Sequence, residues 1–223
     1  MARPDHPAGP RPDIAGRRLT DVTDPEGRDP ADPAPAWTAV VLAGGRAARM
    51  GGRDKPQLQI DGRSLIAWVV DDLPAHVPVV VVGPVQPVPR EVEFRREDPP
   101  FGGPVAALAA ALPAVRTPLV GLVASDMPRA GALLSRLAAG WRGPSALVPV
   151  DEDGHRQPLC SILPSDAITL ALNGIGDPAG FSMRSFLSRL DVTELPLIGS
   201  DAVLLRDIDV PADVPVTGAT EAI

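Results

Sequence analysis

Val40-Val41-Leu42-Ala43-Gly44-Gly45-Arg46-Ala47-Ala48-Arg49-Met50-Gly51-Gly52-Arg53-Asp54-Lys55 is the stretch from which the rest of the chain can be read. Val40, Val41 and Leu42 are apolar in succession, the composition of a strand buried on both faces of a parallel sheet. The pairs Gly44-Gly45 and Gly51-Gly52 then permit backbone angles and a close ligand approach that a Cβ would forbid. Arg46, Arg49, Arg53 and Lys55 bring donors without acceptors, so the loop suits an anion, with a nucleoside triphosphate as the first choice. The ordinary alternative is a glycine turn carrying solvated arginines. Two common nucleotide motifs are excluded by spacing. Lys55 follows Asp54 and precedes Pro56, which breaks G-x-x-x-x-G-K-[ST], and adjacent glycine pairs break G-x-G-x-x-G.

Outward from this stretch, 223 residues with 44% hydrophobic and 22% charged content allow one medium α/β domain with a substantial core. Aromatics make up only 3% and Tyr is absent, so that core must be aliphatic. The formal net charge of -7 argues against a general nucleic-acid binder, which needs a basic face for phosphates. The single cysteine, Cys160, excludes an intrachain disulfide, and its apolar setting in PLCSIL reads as a buried small hydrophobe. No run reaches the roughly 18 apolar residues of a membrane span and no signal pattern opens the chain, so a soluble, cytoplasmic protein without membrane contact is expected.

Residues 1–36 hold 8 of the 28 prolines, no aromatic residue and no periodic pattern. They read as a disordered proline-rich extension, and the folded domain is expected over 37–223. Ser64 can cap a helix carrying Leu65, Ile66, Val69, Val70 and Leu73. Val77 to Val82 reads as a second buried strand and Val92 to Arg96 as a weaker third. GGPVAALAAAL places Pro104 in a first helical turn, whose free amides would face a ligand. Leu119 to Ala124 is a strand ending in Ser125-Asp126-Met127-Pro128. A helix from about Ala130 to Ala139 and a strand from Ala146 to Val150 follow, then a polar loop DEDGHRQPL and a strand in QPLCSIL. Helices are expected over Asp166 to Leu172 and Ser182 to Leu190, and AVLLRDIDVPADV reads as a strand entering a short helical turn. The alternation predicts an α/β three-layer sandwich with a mostly parallel sheet.

In such a sheet ligands bind at the carboxyl ends of central strands, which is where Asp126 falls. Mg²⁺ is commonly held by only one or two carboxylates, with phosphates and water completing the shell. Asp126 therefore fits a metal-binding role, and its plain structural alternative is a helix N-cap. Cations in one loop and a carboxylate in another match displacement at phosphorus. His6, His76 and His155 fit no metal cluster by spacing, and no residue set indicates a covalent mechanism. A nucleophile supplied by the substrate, such as a phosphate monoester, needs no enzyme base, which favours nucleotidyl transfer over hydrolysis.

LAGGRAARMGGRDKP, from Leu42, resembles the signature L-A-G-G-x-x-x-R-M-G-x-D-K of nucleotidyltransferases, and within them the molybdenum cofactor guanylyltransferases. The likeness continues through Gly103-Pro104, Asp126-Met127-Pro128, Gln157-Pro158-Leu159 and DIDVPADV, covering about Trp37 to Val214. It implies a Rossmann-like nucleotidyltransferase fold and transfer of GMP from GTP to the phosphate of molybdopterin, with Mg²⁺ as cofactor and pyrophosphate released. It also implies contact with a molybdoenzyme or other cofactor-biosynthesis proteins. By position, Leu42, Ala43 and Gly44 would bind the nucleotide through backbone groups, Arg49 and Lys55 its phosphates, and Asp126 the metal. Asp98 resembles the family's acidic nucleotide contact, with Glu97 beside it as the other register. Gly45 gives the Gly-Gly form of guanine users, where cytosine users carry Leu-Ala-Ala-Gly.

Three departures stand out. Ala47 and Ala48 occupy places where serine is frequent, Gly83-Pro84 stands where an asparagine is expected, and Asp207-Ile208-Asp209-Val210-Pro211 replaces N-I-N-T-P. Asp209 instead resembles the second metal carboxylate of related transferases. The alternatives are a relative that uses CTP or another phosphorylated acceptor, and a nucleotide-binding module without turnover.

Overall fold

The structure is a computed structural model and describes residues 35–44, 58–60, 62–197 and 199–205. Gly45, Arg49, Lys55 and Asp209, together with nearly all of the proline-rich N-terminal segment, lie outside the described residues.

A seven-stranded sheet has the order β5-β4-β1-β6-β8-β7-β9. β1 (Trp37–Leu42) lies between β4 (Val79–Val82) and β6 (Leu119–Ala124), parallel to both. β5 (Glu93–Arg95) extends the parallel half. β8 (Cys160–Pro164) pairs antiparallel with both β6 and β7 (Ala146–Val150), and β9 (Val192–Pro196) runs parallel to β7 at the far edge. Of the seven strands, only β8 reverses. Two-residue strands β2 (Gln59–Ile60) and β3 (Arg63–Ser64) form a separate small hairpin.

The central strands read as unbroken apolar runs because both faces are covered. Alternate residues of β1 enter different cores: Ala39 and Val41 one, Val40 the other. The first core is closed by α1 (Leu65–Asp71) and α3 (Ala130–Gly140) through Ile66, Val69, Leu133, Leu134 and Leu137. The second is closed by α2 (Pro104–Ala111), α4 (Ser165–Asn173) and α5 (Met183–Leu187) through Val105, Leu108, Ile168 and Phe186. Each fully buried leucine or valine contributes roughly 1.5–3 kcal/mol, so an aliphatic core with few aromatics suffices. The result is the expected three-layer α/β/α sandwich with a mostly parallel sheet.

Local signals act as anticipated at several ends. The Ser64 side chain accepts a hydrogen bond from the Ala67 N–H at 3.3 Å, capping α1, and Pro104 occupies the first turn of α2. The chain leaves β1 towards β4 on one side, and after β5 it crosses to β6 on the other. The two halves therefore diverge at the carboxyl ends of β1 and β6, which creates a crevice there.

One expectation differs, and two features had no counterpart in the sequence reading. Ala202 and Val203 belong to a short helix, α6 (Ser200–Val203), not to a strand, because the turn at Gly199 starts a helix just before the apolar run. β9 and the β2–β3 hairpin form without a clear pattern in sequence, since β9 buries only Leu195 deeply and β2 and β3 have two residues each.

Candidate functional site

The crevice is assembled from strand ends. Leu42 pairs with Ala124 in register, and the ladder runs one step further, with the Ser125 N–H donating to the Leu42 carbonyl at 3.0 Å. Asp126, half-buried, is therefore carried to the neighbour of Ala43 and Gly44. On the other side the Ala43 N–H donates to the Val82 carbonyl at 2.8 Å, and the Gly83 N–H to the Arg95 carbonyl at 2.9 Å. A Cβ on Gly83 would stand 2.8 Å from the carbonyl carbon and oxygen of Ala43, so this position admits only glycine without a backbone shift. The Gly83-Pro84 departure from the asparagine pattern thus has a packing consequence at the β1–β4 junction.

Of the Glu97-Asp98 pair, Glu97 stands against Gly44, just past the end of β1. Its side chain is 5% exposed, whereas Asp98 faces solvent. Glu97 Oε1 accepts the Phe101 N–H at 3.1 Å and would meet a Gly44 Cβ at 3.4 Å. Glu97 Oε2 is buried with no hydrogen-bond partner among the described residues. Phe101, at φ 65°, turns the chain back towards Gly102-Gly103 and the start of α2, leaving its ring half-exposed. Gly103, at φ 94°, caps α2 without a side-chain bond. The start of this helix lies at the same sheet edge, where its free amides favour an anion.

Asp126 borders a cavity of about 520 Å³. Ala124 and Met127 line it from the β6 side, Asp151, Glu152, Asp153, Gln157, Pro158 and Leu159 from the β7–β8 turn, and Ala202, Val203 and Leu205 from the C-terminal side. α3 begins four residues after Asp126, with Arg129 at its N-cap and no side-chain capping bond, so the N-cap role weighed for Asp126 is not the one it has. One carboxylate at the end of a central strand, beside a ligand-sized cavity, is a donor set that fits a hard divalent cation completed by phosphate and water.

The β7–β8 turn holds a group that the sequence reading left unassembled. Donor atoms of Asp151, Asp153 and His155 come within 4.8 Å of one another, although spacing alone placed His155 in no cluster. The Asp-x-Asp-x-His alternation was the available signal. Asp151 is the centre of the turn. Its Oδ1 accepts the Asp153 and His155 N–H groups at 3.1 and 2.8 Å, and its Oδ2 accepts the Gln157 amide N–H at 2.7 Å. The His155 N–H above all, with Gln157 and Asp153, holds the Asp151 carboxyl below its ordinary range despite partial desolvation.

Cys160 is fully buried, and burial pushes its thiol up to about 12, so no thiolate nucleophile forms at neutral pH. His76 is exposed in a connecting turn. Among the described residues no helix is long and apolar enough to cross a membrane.

Residues 39–193 match the model of the MobA-like NTP transferase domain. A molybdenum cofactor guanylyltransferase from Vibrio cholerae is 30% identical over 55% of this chain. The match spans 63% of that relative's own length, under two thirds. One of the same description from Burkholderia lata is 34% identical over 58% of this chain and 70% of its own. Among solved structures, molybdopterin-guanine dinucleotide biosynthesis protein A from Archaeoglobus fulgidus superposes with a TM-score of 0.58 at 22% identity, over 79% of this chain and 94% of that one. A nucleotidyl transferase from Methanothermobacter gives 0.59 at 19% identity, over 80% and 94%. These superpositions are to the same fold, and with 155 residues matched to the family model the chain belongs to the MobA-like NTP transferase family.

Proposed function

We propose that the chain transfers GMP from GTP to the phosphate of molybdopterin and releases pyrophosphate. The observation that carries the reading is the union of Leu42-Ala43-Gly44 and Asp126 at adjacent strand ends beside a cavity large enough for an acceptor. In the reaction an ionised phosphate oxygen of the acceptor attacks the α-phosphorus. The bond from that phosphorus to the bridging oxygen breaks, and its electron pair leaves with pyrophosphate. The acceptor is already deprotonated near neutral pH, so no general base is required, consistent with a buried, neutral Cys160.

Asp126 would hold Mg²⁺, which when bound supplies positive charge to the phosphate oxygens. Arg49 and Lys55 would add donors to the same phosphates, and Asp209 would be a second carboxylate for the metal. Backbone groups of Leu42, Ala43 and Gly44 would hold the nucleotide, with Gly45 keeping the loop slim for guanine. Glu97 supports guanine over cytosine. A buried acceptor beside Gly44 suits the paired ring and amino N–H donors on the guanine edge, and leaving such a group unpaired is costly.

The test is pyrophosphate release by the full chain with molybdopterin, Mg²⁺ and each of GTP, CTP, ATP and UTP in competition. GTP should be preferred. Preference for CTP would overturn the guanine assignment, and no release with any triphosphate would overturn nucleotidyl transfer.

A further inference from the structure

We infer that Gln157 is a specificity-determining residue of the acceptor cavity and that Asp151 is its positioning residue. Together they offer a hydrogen-bond acceptor to a neutral heterocycle bearing ring or amino N–H groups. This rests on the proposal of nucleotidyl transfer above and names what the far side of that site recognises.

The orientation of the Gln157 amide follows from chemistry. An ionised carboxylate only accepts, so the contact of 2.7 Å to Asp151 Oδ2 must come from the Gln157 amide nitrogen. The carbonyl oxygen is then what Gln157 has left to offer as an acceptor. Asp151 is in turn fixed by two backbone N–H groups on Oδ1, and the Gln157 backbone is held by its N–H to the Pro149 carbonyl at 2.8 Å. With all three of these Asp151 contacts made inside the turn, its carboxylate orients a neighbour and is poorly placed to take up a ligand itself. Side chain, backbone and partner are thus fixed before any ligand arrives, which is what selective recognition needs.

The rest of the lining agrees. Beyond Gln157 this side of the cavity presents carboxylates of Glu152 and Asp153 and apolar surface from Pro158, Leu159 and Val203, and among the described residues no lysine or arginine lines it. A wall of acceptors and apolar groups disfavours an anion and suits the flat, donor-bearing end of a molecule. The phosphate end of an acceptor must then point the other way, towards Asp126 and the end of β1, which is the direction transfer requires.

The test is steady-state kinetics of the full chain with GTP, Mg²⁺ and molybdopterin, resolving KM for each substrate. Asp151→Asn keeps an oxygen for the backbone N–H groups but presents an amide where the carboxylate was, so Gln157 must turn its donor outwards. KM for the acceptor should rise on the order of tenfold, the loss of about one hydrogen bond, while KM for GTP stays within about twofold. Gln157→Met, which leaves the backbone bonds of the turn intact, should do the same. The double variant Asp151→Asn with Gln157→Glu reverses the polarity of the pair, with amide donating to carboxylate, and should recover most of the acceptor KM. A merely structural role would not give that rescue. The inference is overturned if wild-type protein turns over and Gln157→Met leaves the acceptor KM unchanged, or if both substrates weaken equally. No turnover by wild-type protein overturns the transfer reading and this inference together.

Discussion

In the proposed reaction Glu97 and Asp126 would divide the work between two carboxylates that differ chiefly in burial. Asp126 is half-buried at a cavity, and Asp126→Asn should lower kcat on the order of 10² to 10³, measured by pyrophosphate release, because it removes a preorganised charge. Glu97 is enclosed beside Gly44, and Glu97→Gln should act on nucleotide choice instead. The expected outcome is a rise in KM for GTP on the order of tenfold with little change in kcat, checked in the same assay. Asp151 makes a third case, testable by pH. Its carboxyl titrates below the ordinary aspartate value, so its contribution to stability is fully present above the unfolded-state value of about 3.9 and is lost as pH falls through the lower folded value. An NMR titration should place the Asp151 midpoint below about 3.9, and Gln157→Met should move it upwards by removing one donor. At this scale sequence reading placed Asp126 just past the end of a central strand, because an apolar run leads straight into it. It could not separate Glu97 from Asp98, since both lie beyond the three-residue β5, where no alternation fixes which of two neighbours is inside.

Among the elements, the contact between α1 and α3 sets a sharp limit. A Cβ on Gly131, the second residue of α3, would stand 2.6 Å from the Val69 carbonyl oxygen and 2.9 Å from Asp72 Cβ. Alanine gains about 1 kcal/mol in helix propensity, but the clash is with backbone and cannot be relieved by a rotamer change. Gly131→Ala should therefore be net destabilising by about 1–3 kcal/mol in urea unfolding. Elements with long apolar runs, β1, β4, β6 and β7, were legible because two cores cover them, and α1 was legible through its Ser64 cap. β9 was not, because an edge strand whose pattern is half-buried has neither continuous apolar residues nor strict alternation. The apolar run at Ala202 to Leu205 was read as strand because four apolar residues suit either state, and the backbone turn at Gly199 decides in favour of helix.

For the molecule as a whole, binding and stability should be linked. A nucleotide that binds only the folded chain stabilises it by about 2.7 kcal/mol at a hundred times Kd, so GTP with Mg²⁺ should raise Tm in calorimetry, and Asp126→Asn should reduce that rise. The layered architecture was predictable from alternating strands and helices, whereas the meeting of distant segments at one edge required the strand order. That order contains one reversed strand, β8, and the reversal has a further consequence. Because β8 runs against its neighbours, β7 and β8 form a hairpin whose tip, bridged by Val150 and Arg156, lies at the edge where the chemistry is proposed. Hairpin tips accept insertions, deletions and new side chains with little effect on the sheet beneath. A chain built this way can exchange one half of the proposed site as a cassette while the end of β1 stays untouched, so a different acceptor could be taken up through changes in a single short turn.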